Sequence, residues 1–109
     1  MISDELRQTL IERIREASDP DRIILFGSHA RGEADDDSDI DLMVIKSGVE
    51  SRWKEAVKIY RALKGLAVPV DILVATPEIL EEYADCWFLV YHEVAKEGQV
   101  IYEKARSAA

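Results

Sequence analysis

Two short apolar runs, RIILF (22–26) and DIDLMVI (39–45), bracket a glycine- and carboxylate-rich stretch, GSHARGEADDDS (27–38). Runs this short and this rich in β-branched residues suit strands better than helices. RIILF is nearly all apolar, the pattern of a strand covered on both faces. DIDLMVI alternates instead, with Ile40, Leu42 and Val44 on one face and Asp39, Asp41, Met43 and Ile45 on the other. The chain is thus bound to a sheet, and one end of that sheet carries acid.

The remaining pattern supplies partners for these strands. Leu6, Leu10, Ile14 and Ala17 recur at helical spacing over 4–17, with Ser3 as N-cap and Asp4 and Glu5 in the first turn. DPD (19–21) ends that helix. A second helix is expected over 52–64, with Trp53, Val57, Tyr60 and Leu63 on one stripe and Gly65 closing it. VPVDILVA (68–75) reads as a third strand, and Pro69 near its start suits an edge position. Thr76 and Pro77 read as N-cap and first residue of one long helix. Its stripe runs Leu80, Tyr83, Trp87, Tyr91 and Val94, as core or as a docking face, and Gly98 ends it. VIY (100–102) is a candidate last strand. The sum is an α/β (α+β) domain, a small mixed sheet of three to four strands flanked by helices.

Composition narrows the function. At 109 residues the chain is expected to form a single domain, 1–109, with one core. A net charge of −8 argues against autonomous nucleic-acid binding, which relies on lysine and arginine at phosphates. A phosphorylated ligand is still compatible when a divalent cation bridges it to carboxylates. The single cysteine, Cys86, forms no intramolecular disulfide and no cysteine zinc cluster. No apolar run reaches the roughly 20 residues that span a bilayer, and the acidic, helical start is unlike a secretory signal. The expectation is a cytoplasmic protein.

The carboxylates carry the chemistry. Asp39 and Asp41 point to one side of a strand, with Cα atoms about 6.5–7 Å apart. Like charges held so close repel, unless solvent or a cation intervenes. Asp71 lies in an otherwise apolar strand, where a charge is costly unless paired. Should the two strands be neighbours, three carboxylates converge, and an oxygen-only set of this kind favours Mg²⁺ or Mn²⁺. Asp35, Asp36 and Asp37 read as a solvated loop.

Two familiar motifs fail on spacing. The aspartates from Asp35 begin like a calcium loop, but Ile40 and Lys46 stand where glycine and glutamate are required. Gly27 and Gly32 begin like a P-loop, but Glu33-Ala34 replaces Lys-Ser/Thr. What survives is a phosphate cradle: Gly27 lets backbone N–H groups approach an anion, Ser28 adds a hydroxyl, and Arg31 can reach a phosphate or clamp an aspartate.

GSHARGEADDDSDIDLMV, with VDILV downstream, resembles the signature Gly-Ser-x-Ala-Arg-Gly…Ser-Asp-x-Asp-Leu of the minimal nucleotidyltransferases, in the DNA polymerase β-like superfamily. The resemblance covers about residues 23–74, and no catalytic position departs from it; His29 falls where the motif varies and reads as non-catalytic. It implies that Asp39, Asp41 and Asp71 are catalytic and bind two Mg²⁺ ions, Asp71 also helping to activate the attacking hydroxyl. It further implies that Gly27 and Ser28 hold the β and γ phosphates of ATP while a hydroxyl attacks the α phosphate. Minimal members commonly pair with a HEPN-type toxin as its antitoxin, some by transferring AMP to a toxin tyrosine. Two other readings stand beside this one: an antitoxin that masks its toxin without chemistry, and nucleotidylation of a small molecule such as an aminoglycoside.

Overall fold

A computed structural model describes residues 2–35 and 38–105. Helix α1 (Asp4–Ser18) begins where Ser3 accepts a hydrogen bond from the Leu6 N–H at 3.1 Å. It stops at Asp19, which takes a left-handed conformation ahead of Pro20. Strand β1 (Arg22–Phe26) follows, then a single helical turn, α2 (Ser28–Arg31), and strand β2 (Ile40–Ile45). Helix α3 (Arg52–Ala62) is capped by the Ser51 hydroxyl, and strand β3 (Val70–Ala75) leads through the Thr76 cap into α4 (Pro77–Tyr83). Helix α5 (Val90–Glu97) and strand β4 (Gln99–Glu103) complete the described chain.

The four strands form one mixed sheet in the order β3-β2-β1-β4. β1 runs antiparallel to β2 and β4, while β2 and β3 are parallel. That parallel pair needs a crossover, which α3 supplies. Alternation along the strands then separates two cores. Ile23, Leu25, Ile40, Leu42 and Val44 pack under α1 and α3. Ile24, Phe26, Met43, Ile45 and Ala75 pack against Leu80 of α4 and Val94 of α5. The two faces expected of DIDLMVI are those observed, β1 is buried on both sides, and β3 is an edge strand as Pro69 suggested.

Two expectations need correction. The expected stripe of α3 only partly faces the core: Leu63 is buried in it, but Trp53 is 74% exposed and Tyr60 43%, and the fully buried Ile59 lies outside that stripe. α3 covers the outermost strand, so its aromatic side overhangs the sheet edge. There the Tyr60 hydroxyl accepts the Ile72 N–H at 2.8 Å, occupying an outward donor of an edge strand. The helix also ends at Ala62, short of the expected 64.

The single long helix after Thr76 is two helices, broken over 84–89. Leu80 and Val94 both pack on the same small sheet face. In one straight helix they would stand roughly 21 Å apart, too far to share it. The His92 ring donates from Nδ1 to the Ala84 carbonyl at 3.0 Å and satisfies an acceptor at the break. Trp87 is consequently 79% exposed and Phe88 69%, not part of a continuous core stripe. Among the described residues, no helix is long and apolar enough to cross a membrane.

Candidate active site

The sheet brings the predicted residues to one end. β1 finishes at Phe26 beside Asp41, and Asp41 lies directly alongside Asp71 in the parallel register of β2 and β3. Side chains of such register partners share a face, here the face that α4 and α5 cover. Asp39 immediately precedes β2 and is exposed. Asp71 is exposed too, because β3 is at the edge. The cost expected for a charge in an apolar strand therefore does not apply to Asp71; its register with Asp41 is what marks it.

Gly27 explains why Asp41 fits. A Cβ placed on Gly27 would stand 2.2 Å from Asp41 Oδ2, so any side chain there would expel the carboxylate. Its φ of 74° also belongs to the region that L side chains avoid. Gly27 caps α2 without a side-chain hydrogen bond, and its carbonyl accepts from the N–H groups of Ala30 and Arg31, both at 3.1 Å. The turn thereby begins, with its first N–H groups, next to the point where Gly27 meets Asp41, a suitable arrangement for phosphate oxygens.

Burial raises the pKa of Asp41 above the usual carboxylate range, and the charges of Asp71, Asp39 and Glu93 push the same way, with His29 opposing them. Neither Glu93 nor this placement of His29 was read from the sequence. Glu93 comes from the first turn of α5, far along the chain, and no local pattern marks it. His29 Nε2 lies 3.2 Å from the Ser38 carbonyl, which can only accept, so Nε2 carries the proton. His29 thus pins α2 to the segment that delivers Asp39. Its Nδ1 is buried without a hydrogen-bond partner.

The residues expected to bind phosphate divide into two groups. Gly27 lies against Asp41 and Ser28 follows it as the first residue of α2, whereas the Arg31 guanidinium turns toward acid: Glu33 at 3.1 Å, and Glu93 and Glu97 of α5 each at 3.7 Å. The hydrogen bond to Glu33, aided by the three carboxylate charges, raises its pKa. A cavity of about 610 Å³ opens beside it, bordered by Trp87, Phe88 and Lys96. In the acidic loop, Asp35 is exposed and its carboxylate accepts from the Ser38 hydroxyl at 3.1 Å; Asp36 and Asp37 lie outside the described residues.

Among the described residues, no three carboxylate, imidazole or thiol groups already stand close enough to enclose an ion. Asp39, Asp41 and Asp71 share one end of the sheet without forming a closed shell, as like charges are expected to do. The donor set still fits a hard divalent cation: it is anionic, all oxygen, and set against a glycine that leaves room for the central carboxylate.

A family model described as "Nucleotidyltransferase domain" matches residues 7–101. The chain belongs to the nucleotidyltransferase domain family. Over 55 residues this nucleotidyltransferase is 38% identical to a Methanocaldococcus jannaschii protein described as a candidate protein adenylyltransferase. That match covers 50% of this chain and 54% of the relative, so the chain spans about half the length of the curated protein it matches. Its fold resembles that of a candidate nucleotidyltransferase from Sulfolobus solfataricus, with a TM-score of 0.64 at 19% identity over 92% of this chain and 82% of that one. It also resembles a structure of a tri-AMPylated Shewanella oneidensis HEPN toxin in complex with its MNT antitoxin, with a TM-score of 0.51 at 21% identity over 90% and 70% of the two chains. At these identities the likeness establishes a shared fold, the mixed α/β core of nucleotidyltransferases.

Proposed function

We propose that this nucleotidyltransferase transfers AMP from ATP to a tyrosine hydroxyl of a HEPN-type toxin in the cytoplasm, and so acts as its antitoxin. The observation that carries the reading is Asp41 seated against Gly27 and in register with Asp71. Family membership supports the reaction class. The names of the archaeal relative and of the toxin–antitoxin structure support the protein acceptor. The single cysteine suits a reducing compartment.

Asp39, Asp41 and Asp71 would hold Mg²⁺, two ions being expected, which when bound supplies charge neutralisation at the phosphates. The backbone at Gly27 and the Ser28 hydroxyl hold the β and γ phosphates and fix the α phosphate beside the carboxylates. Asp71, the accessible carboxylate on the edge strand, receives the proton of the incoming tyrosine hydroxyl. The tyrosine oxygen forms a bond to the α phosphorus, the bond to the bridging oxygen breaks, and pyrophosphate leaves. Most of the acceleration in such a transfer comes from positioning and charge stabilisation, which a rigid sheet end is built to supply.

The exposed Trp87–Phe88 pair, stacked edge-to-face with ring centroids 5.7 Å apart, favours a second reading in which the chain masks its toxin by binding alone. One experiment separates the two. ATP labelled at the α phosphate is incubated with Mg²⁺, the chain and its co-purifying partner, in parallel with an Asp39→Asn/Asp41→Asn variant. Label that reaches the partner only with the native aspartates supports transfer. A stable complex that stays unlabelled with all four triphosphates supports masking.

A further inference from the structure

Arg31 stands one helical turn from the cradle, since its N–H donates to the Gly27 carbonyl. Its side chain is nevertheless held elsewhere. Nε donates to Glu33, and Nη1 lies 3.7 Å from both Glu93 and Glu97. One guanidinium faces three carboxylates, two of them carried by α5, and the cluster is net negative. A triphosphate arriving at Gly27 and Ser28 therefore meets an arginine already engaged, in a field that repels phosphate.

We propose that Glu97 is a positioning residue for the nucleotide: it draws Arg31 toward α5, and polyphosphate binding exchanges the α5 carboxylates for phosphate at the guanidinium. This rests on the nucleotide-site reading given above. Glu97 is the informative partner because Glu93 also bears on Asp41, so its removal would alter the carboxylate set itself. Glu97 lies one turn farther along α5 and is 45% exposed. The exchange concerns only phosphates that reach Arg31: the β and γ phosphates of a triphosphate compete with Glu97 for the guanidinium, whereas AMP, which lacks them, does not.

The test compares dissociation constants of MgATP, magnesium tripolyphosphate and AMP, measured by calorimetry on the full chain. Glu97→Gln is expected to tighten MgATP and magnesium tripolyphosphate about two- to fivefold, the range of an exposed ion pair, and to leave AMP unchanged. Combining it with Arg31→Gln is expected to remove that gain. Unchanged or weaker MgATP binding by Glu97→Gln, at an unchanged melting temperature, overturns the proposal. So does a gain that persists without Arg31. In either case native binding of MgATP leaves the nucleotide-site reading intact, whereas a native chain that binds no triphosphate with Mg²⁺ sinks both.

Discussion

The two ends of the sheet treat the same chemical group in opposite ways. At the end away from Gly27, Asp21 accepts from the Ser47 N–H at 2.7 Å and from the Ser47 hydroxyl at 2.8 Å. The hydroxyl contributes most to lowering its pKa, against some burial, and Ser47 N–H, Lys104 and Arg22 add to it. Glu55, whose side chain is only 13% exposed, sits among Ser18, Lys46 and Lys58. Burial acts to raise its pKa, but the hydrogen bonds from those three groups outweigh it and leave the pKa lowered. The Lys46 ammonium also donates to the Ser18 carbonyl, joining the end of α1, the exit of β2 and α3. At the Gly27 end, Asp41 is pushed the other way, by burial and by carboxylates with no lysine among its principal influences. Satisfied carboxylates fasten the fold. Those at the Gly27 end, which the proposed function assigns to a ligand, include one whose charge is disfavoured in the fold.

Substitutions can break this contrast, starting with the largest expected effect. Gly27→Ala would drive a methyl group into Asp41 and force a left-handed φ on alanine. AMP transfer is expected to fall at least about a hundredfold, the consequence of displacing a reacting group by about an ångström, as read by label incorporation. Stability should fall by about 1 kcal/mol or more in urea unfolding.

Glu55→Gln tests the opposite end. It is expected to lose about 1–2 kcal/mol at neutral pH, as befits charged hydrogen bonds, while transfer activity is retained. Because the folded pKa of Glu55 lies below the ordinary 4.5, its contribution is complete above that pH and disappears as pH falls through the folded value. The acid limb of the native stability curve should accordingly be steeper than that of Glu55→Gln.

Asp41→Asn has the smallest expected effect on stability, and the opposite sign. The folded pKa of Asp41 lies above the ordinary 3.8, so its charge costs stability at neutral pH, and the cost vanishes as pH falls below the unfolded value. Without added metal, the variant should melt about 2–5 °C higher than the native chain. An unchanged or lower midpoint would show that the Asp41 charge is not under strain.

Much of this end was legible in the sequence, because local pattern decides it. Alternation in DIDLMVI set Asp41 on its face, and the β-branched run of 22–26 gave β1 its bounds. The α2 turn follows from Gly27, whose role is local. What escaped depends on where helices rest. The Trp53–Tyr60 side of α3 has an apolar period, yet it hangs over a sheet edge that no pattern within the helix reveals. The period from Leu80 to Val94 continues unbroken through the segment where the chain turns to return to the same sheet face. Arg31, read as a phosphate ligand, meets Glu93 and Glu97 only because α5 folds back beside α2. Pairings across so many residues leave no mark in spacing.

The central claim is that the Gly27 end is a set of carboxylates awaiting a cation and a polyphosphate. The most direct test is the melting temperature of the native chain and of Asp41→Asn, each with and without Mg²⁺ plus a non-hydrolysable ATP analogue. The native midpoint should rise with the ligands, as binding to the folded state alone requires, whereas Asp41→Asn should start higher and stay there. Equal rises in both chains, or none in the native one, would contradict the account.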